Sequence, residues 1–145
     1  MTPKFVIVSN PAVRWPVTIK IPADGGIVES RFEAQIRVYS EQEYESLLPK
    51  PQEGERTPDE VLAENAAFLP KFVLDWYGVT DEHGKGVPIH RLQEIIKGPY
   101  GIPLSVGLWR AVSEVRLGID PQGGATEKNS APSPAPGLAQ EATGN

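Results

Sequence analysis

Residues 28 to 38, "VESRFEAQIRV", carry the most regular pattern in this chain of 145 residues. Apolar and polar side chains alternate along the segment. Val28, Phe32, Ala34, Ile36 and Val38 lie on one side, and Glu29, Arg31, Glu33, Gln35 and Arg37 lie on the other. A period of two predicts a β-strand with one buried and one solvated face. Such a strand needs a partner strand and a cover over its apolar face.

The preceding residues supply the partner strand. "PVTIKIP", residues 16 to 22, places three apolar side chains on one side, and Asp24-Gly25 is a hairpin turn signal. A separate β-branched run, "FVIV" at Phe5 to Val8, predicts a first strand. These segments predict an antiparallel hairpin over residues 16–39 or a three-stranded meander.

Two capping boxes indicate that the cover is helical. "SEQE" at 40 to 43 starts a short helix that stops before Pro49, and "TPDE" at 57 to 60 starts a second one. Helical spacing continues from Val61 to Trp76, and Pro70 should kink or break that helix.

Two more helices are predicted, one around Leu92 and a last one from Pro103 to about Gly118. Strands followed by helices predict an α+β fold, in which the sheet packs against about four helices. We expect a single domain over residues 1–118, with the hairpin at 16–39 and the helical part at 40–118. Residues 119–145 lack aromatic side chains and contain "APSPAP", so we expect a disordered tail rich in Pro, Ser, Gly and Ala.

Charge and composition exclude several classes of protein. The net charge of −5 leaves −3 for residues 1–118, because three acids and one lysine after Ile119 account for −2. A mildly acidic domain does not favour nucleic-acid binding. The chain has no cysteine and no apolar run near the roughly 20 residues of a membrane helix, so we expect a soluble cytoplasmic protein without membrane contact.

The segment "FVLDWYGVTDEHGKGVPIHRL", residues 72 to 92, holds both histidines of the chain, His83 and His90. A zinc site needs three or four ligands, and the sequence offers no third histidine and no cysteine. The glycines instead indicate a polar loop tip held by apolar flanks, with His90 at the start of a helix. No nucleophile and base stand in a recognisable arrangement, so we expect no catalytic residue, no metal, no cofactor and no enzymatic activity.

Aromatic side chains are the remaining candidates for function. Trp109 lies on the apolar stripe of its predicted helix, which favours a place in the core. Trp15 is either an exposed contact residue or a lid over the hairpin. The predicted partner-binding set, for which the core is the alternative role, consists of Trp15, Phe68, Leu69, Phe72, Trp76, Tyr77 and Tyr100.

Two segments resemble the phage tail assembly chaperones. In "RFEAQIRVYSEQEYESLL", residues 31 to 48, an alternating strand leads into a helix through Phe32, Ala34, Ile36, Arg37, Ser40, Glu43, Tyr44 and Leu47. In residues 73 to 88 the order V-x-x-W-x-G-V-x-D-E-x-G-x-x-V-P is similar to that family. The chain departs from the family's pattern after the loop proline, where Ile89-His90 replace Phe-Ser, and at Trp109, where a Tyr is usual.

The resemblance implies a non-enzymatic role in building the tail of a long-tailed phage or prophage. Such a chaperone binds and solubilises the tape measure protein, helps recruit the major tail tube protein, acts in the host cytoplasm and is absent from the mature virion. Self-association is a further possibility. The alternatives are a structural minor tail or head-tail joining protein retained in the virion, and a small regulatory binding protein.

Overall fold

The computed structural model describes residues 4–51 and 53–121 of the chain. The strands are β1 (Ala12–Ala23), β2 (Gly26–Arg37) and β3 (Val73–Tyr77), and the helices are α1 (Glu41–Leu47), α2 (Pro58–Phe68), α3 (Leu92–Ile96) and α4 (Gly101–Leu117). The sheet is antiparallel in the order β1-β2-β3. The predicted α+β class, with a small antiparallel sheet and four helices, is confirmed.

The apolar face of the sheet forms one side of the core. Val17 of β1 and Phe32, Ala34 and Ile36 of β2 are all at most 8% exposed, as the alternation predicts. Val28, which the alternation also places on this face, is 50% exposed near the hairpin tip, so the buried face does not extend that far. The other side comes from the helices and the residues around them, with buried apolar side chains at Tyr44, Ala66, Leu69, Phe72, Leu92, Ile96, Leu104, Leu108, Ala111 and Val112.

The hairpin is longer than the sequence predicts. β1 begins at Ala12, four residues before the expected start, and pairs with β2 as far as Ala23 and Gly26. Gly25 takes φ = +86° at the tip, which glycine adopts without the penalty of a Cβ atom. Pro16 and Pro22 lie inside β1, where they are tolerated because β1 is an edge strand.

The prediction of a first strand at Phe5 to Val8 is wrong. These residues have no regular secondary structure and precede a bend at Asn10, which has φ = +53°. The bend is held by hydrogen bonds from Arg37 Nη2 to Asn10 Oδ1 (2.6 Å) and from Val38 N to Pro11 O (2.8 Å). The bend separates the run from β1, so the third strand of the sheet comes from elsewhere in the chain.

That third strand is β3, and the prediction of helix through Trp76 is therefore wrong beyond Phe68. Pro70 has no N–H to continue the hydrogen-bond ladder, and α2 ends in a single 3₁₀ turn at Leu69–Lys71. The following segment, "VLDWY", contains the β-branched Val73 and the aromatic Trp76 and Tyr77, residue types that favour strands. It pairs with β2, and the register shifts between Gln35 and Ile36.

Both predicted capping boxes are present. Ser40 Oγ accepts from Glu43 N (3.2 Å) and Glu43 Oε1 accepts from Ser40 N (3.0 Å). At α2, Thr57 Oγ1 accepts from Glu60 N (3.2 Å) and Glu60 Oε1 accepts from Thr57 N (2.8 Å). Each box satisfies two backbone donors that the first helical turn leaves free.

Helix α4 crosses β1 closely at Gly107. A Cβ atom there would lie 2.6 Å from Ile19 Cγ2 and 2.8 Å from the carbonyl oxygen of Thr18, so only glycine permits this approach. The helix ends at Gly118 with φ = +70°, which confirms the predicted stop. Ile119 N still donates to Glu114 O (2.9 Å), and the remainder of the predicted tail, residues 122–145, lies outside the described residues.

Arg116 of α4 ties the end of that helix to the start of α1. Its Nη2 and Nε donate to the two carboxylate oxygens of Glu41 at 2.7 and 3.0 Å, and its guanidinium lies 5.2 Å from the centre of the Tyr44 ring. The hydrogen bond from Arg116 lowers the pKa of Glu41. Backbone N–H donors of the capping boxes likewise lower the pKa of Glu43 and of Glu60.

These lowered pKa values predict an acid-sensitive contribution to stability. A carboxylate with a depressed pKa in the folded state stabilises the fold fully above its unfolded pKa of about 4.3, and this contribution is lost as the pH falls through the folded pKa. We expect Glu41→Gln to lower the urea midpoint at pH 7 and to reduce the further loss between pH 5 and pH 3.

The matched control for this prediction is Glu55→Gln in the exposed loop before α2. Equilibrium urea unfolding of both variants and the parent protein at pH 7, 5 and 3 checks the prediction. An identical pH dependence for Glu41→Gln and Glu55→Gln would contradict it.

Candidate functional site

A cleft of about 780 Å³ opens beside the sheet, at the end that carries the hairpin tip. Its hairpin wall includes Ile19, Ile21 and Phe32. Trp76, Val79 and Val87 form the second wall, and Ile95, Tyr100 and Leu104 form the third. Tyr100 is 54% exposed, so the cleft presents an aromatic ring to solvent as well as an apolar floor.

Trp76 anchors the cleft and is only 6% exposed. Its ring meets Phe32 edge to face, with centroids 6.0 Å apart and an interplanar angle of 85°. Its Nε1 donates to the carbonyl oxygen of Val87 at 2.7 Å. A buried indole needs such a partner for its N–H, and here the partner also fixes the far end of the loop that follows β3.

Asp81 organises the tip of that loop. Its Oδ1 accepts from the backbone N–H groups of His83 (2.8 Å) and Lys85 (3.0 Å), while its own N–H donates to Lys85 O (2.8 Å). Gly84 takes φ = +78° within this turn. The predicted polar loop tip with glycine at a positive φ and apolar flanks is confirmed, and Asp81 serves it as a backbone acceptor.

The two histidines belong to different elements. The side chain of His83 is 81% exposed, with Nε2 3.7 Å from Glu82 Oε1. His90 is exposed in the 3₁₀ turn Ile89–Arg91 that leads into α3, close to the predicted helix start. Across residues 4–51 and 53–121, no three side chains of the metal-binding types are grouped to hold an ion.

The rim of the cleft carries both signs of charge. Arg91 Nη2 donates to Glu94 Oε2 at 2.8 Å, and this hydrogen bond holds the pKa of Glu94 below its ordinary value. Asp81, Glu82 and Arg31 complete the charged rim. An apolar floor with a charged rim suits an amphipathic ligand, whose apolar side can be buried while its polar side stays in water.

The cleft brings together two of the predicted partner-binding residues, Trp76 and Tyr100. Leu69 and Phe72 are 0% exposed and take the core role that the sequence also allowed. Side chains with no exposed surface offer no contact to a partner in this conformation.

The other three predicted residues lie outside the cleft lining. Trp15 is half-buried within β1, a strand of the hairpin itself, and its Nε1 donates to Glu114 Oε1 of α4 (3.0 Å). Phe68 is half-buried with Lys71 Nζ 4.5 Å from its ring centre, and Tyr77 is half-buried with Arg14 4.1 Å from its ring centre.

Sequence reasoning missed most of the apolar lining. Ile19 and Ile21 continue the apolar alternation of β1 beyond the buried Val17. An apolar stripe that is longer than the buried part of the strand could have indicated a binding surface. Val79, Ile95 and Leu104 join the site through tertiary packing of three separate segments, for which the sequence carries no local signal.

Comparison of the chain with protein-family models, with curated proteins and with solved structures finds no match. Among the helices of the described residues, none combines the length and the apolar character that crossing a membrane requires.

Proposed function

We propose that the chain is a non-enzymatic tail assembly chaperone of a long-tailed phage or prophage, and that the cleft binds an apolar helical segment of the tape measure protein. One observation carries the proposal. Phe32 belongs to the first segment that resembles the family and Trp76 to the second, and their rings meet edge to face in the lining of one cleft. The two segments that resemble the family therefore contribute side chains to the same surface.

The chemistry of the cleft supports a helical client. Grooves that bind amphipathic helices present apolar surfaces to residues spaced three and four apart. Trp76 and Tyr100 are aromatic residues of the kind that dominate binding energy at interfaces. The charged rim can pair with the polar side of the client helix.

The rest of the proposed role follows from the family resemblance. The protein would act in the host cytoplasm, keep the tape measure protein soluble, recruit the major tail tube protein and be released before the virion is complete. Tyr77 and Phe68 lie away from the cleft lining and remain candidates for contact with tube subunits.

Co-expression with the tape measure and tail tube proteins of the same gene cluster tests this function. We expect the tape measure protein to become soluble and to co-purify with the tagged chain. Tyr100→Ala should weaken the complex about tenfold, because truncation of a central aromatic contact typically costs more than about 1 kcal/mol.

The matched control is Tyr77→Ala, which removes the same side chain at a position outside the cleft lining. Both variants are compared on the complex with the tape measure protein alone, because Tyr77 is a candidate contact for tube subunits. Equal weakening by both variants would contradict the placement of the client in the cleft. An insoluble, unbound tape measure protein would contradict the chaperone itself, and the recovery of the chain in purified virions would support a structural tail protein instead.

A further inference from the structure

The run Phe5 to Val8 leaves four consecutive apolar side chains in solvent. Their exposed fractions are 91%, 68%, 83% and 56% along the chain. The bend at Asn10 holds the base of the run against β2, through Arg37 and Val38. An exposed apolar patch of this kind indicates a contact surface, because water disfavours a contiguous run of large apolar side chains.

The run of one copy cannot cover the whole cleft of that copy. The β1 wall of the cleft is formed by Ile19 and Ile21, and Ile19 is seven residues from the first residue of the strand, which corresponds to about 23 Å at 3.3 Å per residue. Val8 is four residues from Ala12 and can reach back at most about 14 Å when fully extended. Only Phe5 could approach the level of Ile19, so all four side chains can enter this part of the cleft only when the run comes from another copy.

We propose that Phe5 to Val8 of one copy inserts into the cleft of a second copy. Four extended residues are about 13 Å long and bring alternating apolar side chains to both walls of a groove. Insertion removes two apolar surfaces from water, namely the run on one copy and the cleft wall at Ile95 and Tyr100 on the other. This self-association goes beyond the proposed chaperone function and does not depend on it.

The charge at the cleft suits the incoming run. Lys4 immediately precedes Phe5, and the rim offers the carboxylates of Asp81, Glu82 and Glu94. Glu94 is already paired with Arg91. With Arg91 paired to Glu94, the rim leaves Arg31 as well as Asp81 and Glu82, so Lys4 of the inserting copy is attracted to the side of the cleft that carries the two carboxylates.

The contact joins two different surfaces, so each copy carries one donor run and one acceptor cleft. Reciprocal exchange between two copies closes a dimer, and sequential insertion closes a ring. In either assembly the cleft is occupied by a neighbour. A client of the same cleft must compete with the run, so client binding should shift the protein toward smaller assemblies.

Disulfide trapping between two single-cysteine variants tests the proposal, because the chain has no cysteine of its own. Full-length Ile7→Cys and Tyr100→Cys proteins are mixed, oxidised and separated on a non-reducing gel. We expect a mixed disulfide between the two variants to dominate. Tyr77→Cys is the matched acceptor outside the cleft lining and should cross-link to Ile7→Cys far less.

Three outcomes of the trapping experiment would overturn the inference. Equal cross-linking to Tyr77→Cys would indicate random collision. A dominant Ile7→Cys homodimer would indicate that two runs pair with each other. Absence of any disulfide would indicate that the run and the cleft do not meet.

Sedimentation equilibrium supplies a second measurement that needs no cross-link. Ile7→Asp should raise the dissociation constant of the assembly at least about tenfold, because a buried charge without a partner is strongly disfavoured. Ser9→Asp adds the same charge next to the run and should change it little. A parent protein that stays monomeric at every concentration would overturn the inference, and a soluble tape measure complex would still leave the chaperone proposal standing.

Discussion

Phe72→Ala should lower the free energy of unfolding by about 3–5 kcal/mol, which is typical for removal of a buried phenylalanine ring. Phe72 is 0% exposed. Its ring stacks on Tyr44 at 6.0 Å and meets Tyr39 and Trp109 at 5.6 and 5.8 Å. The substitution leaves a cavity bordered by these three aromatic rings. A loss of this size is a large share of the total stability of a typical domain, which is about 5–15 kcal/mol.

Phe5→Ala is the matched control, because the same side chain is removed where it is 91% exposed. We expect its effect to stay within about 0.5 kcal/mol. Equilibrium denaturation followed by tryptophan fluorescence and far-ultraviolet circular dichroism, at a concentration low enough for monomers, measures both variants. Equal stability of the two variants would contradict the placement of Phe72 in the core and would restore Phe72 as a candidate partner-binding residue.

The sequence predicts the elements that depend on local chemistry. The capping boxes at Ser40 and Thr57 hold because two side chains three positions apart satisfy backbone donors wherever the helix lies. The alternation in β2 holds because one face of the sheet must be buried. The turn at Asp24-Gly25 and the stop at Gly118 follow from the positive φ that glycine adopts at both places.

The two errors have tertiary causes. The run Phe5 to Val8 has strand-forming residues, but a strand needs a neighbour, and the bend at Asn10 directs the run away from the sheet. The segment Val73–Tyr77 contains Val73 and Trp76 at helical spacing, and a strand of five residues is too short for its periodicity to distinguish it from a helix. Pairing with β2 decides the outcome, and that information is not local.

The candidate site likewise combines residues that the local sequence indicates with residues that only tertiary packing brings together. Trp76 and Tyr100 could be selected from the sequence because aromatic residues are frequent at interfaces. Their meeting with Ile19, Ile95 and Leu104 depends on how closely α3 and α4 approach the hairpin. That approach is set by glycines whose role is visible only when the neighbouring atoms are placed.

Gly101→Ala should be the most damaging single-methyl insertion in the described chain, with a loss at the upper end of the roughly 1–3 kcal/mol typical of overpacking. Gly101 is buried at the corner between α3 and α4. A Cβ atom there would overlap the backbone carbonyl oxygen of Ile96 and would lie 3.1 Å from Leu62 Cδ2. A backbone oxygen cannot rotate away as a side chain can, so the corner itself must open.

Opening this corner should also damage the cleft, because Tyr100 and Leu104 lie on either side of Gly101 and both line it. We therefore expect Gly101→Ala to lower the unfolding midpoint and to weaken binding of the client and of the Phe5 to Val8 run together. Val106→Ala is the control on the same helix, at a residue that is 53% exposed. It should leave the midpoint and both binding reactions nearly unchanged. A Gly101→Ala protein of parental stability would show that the corner accommodates a methyl group, and the close approach of α3 and α4 would then not be what shapes the cleft.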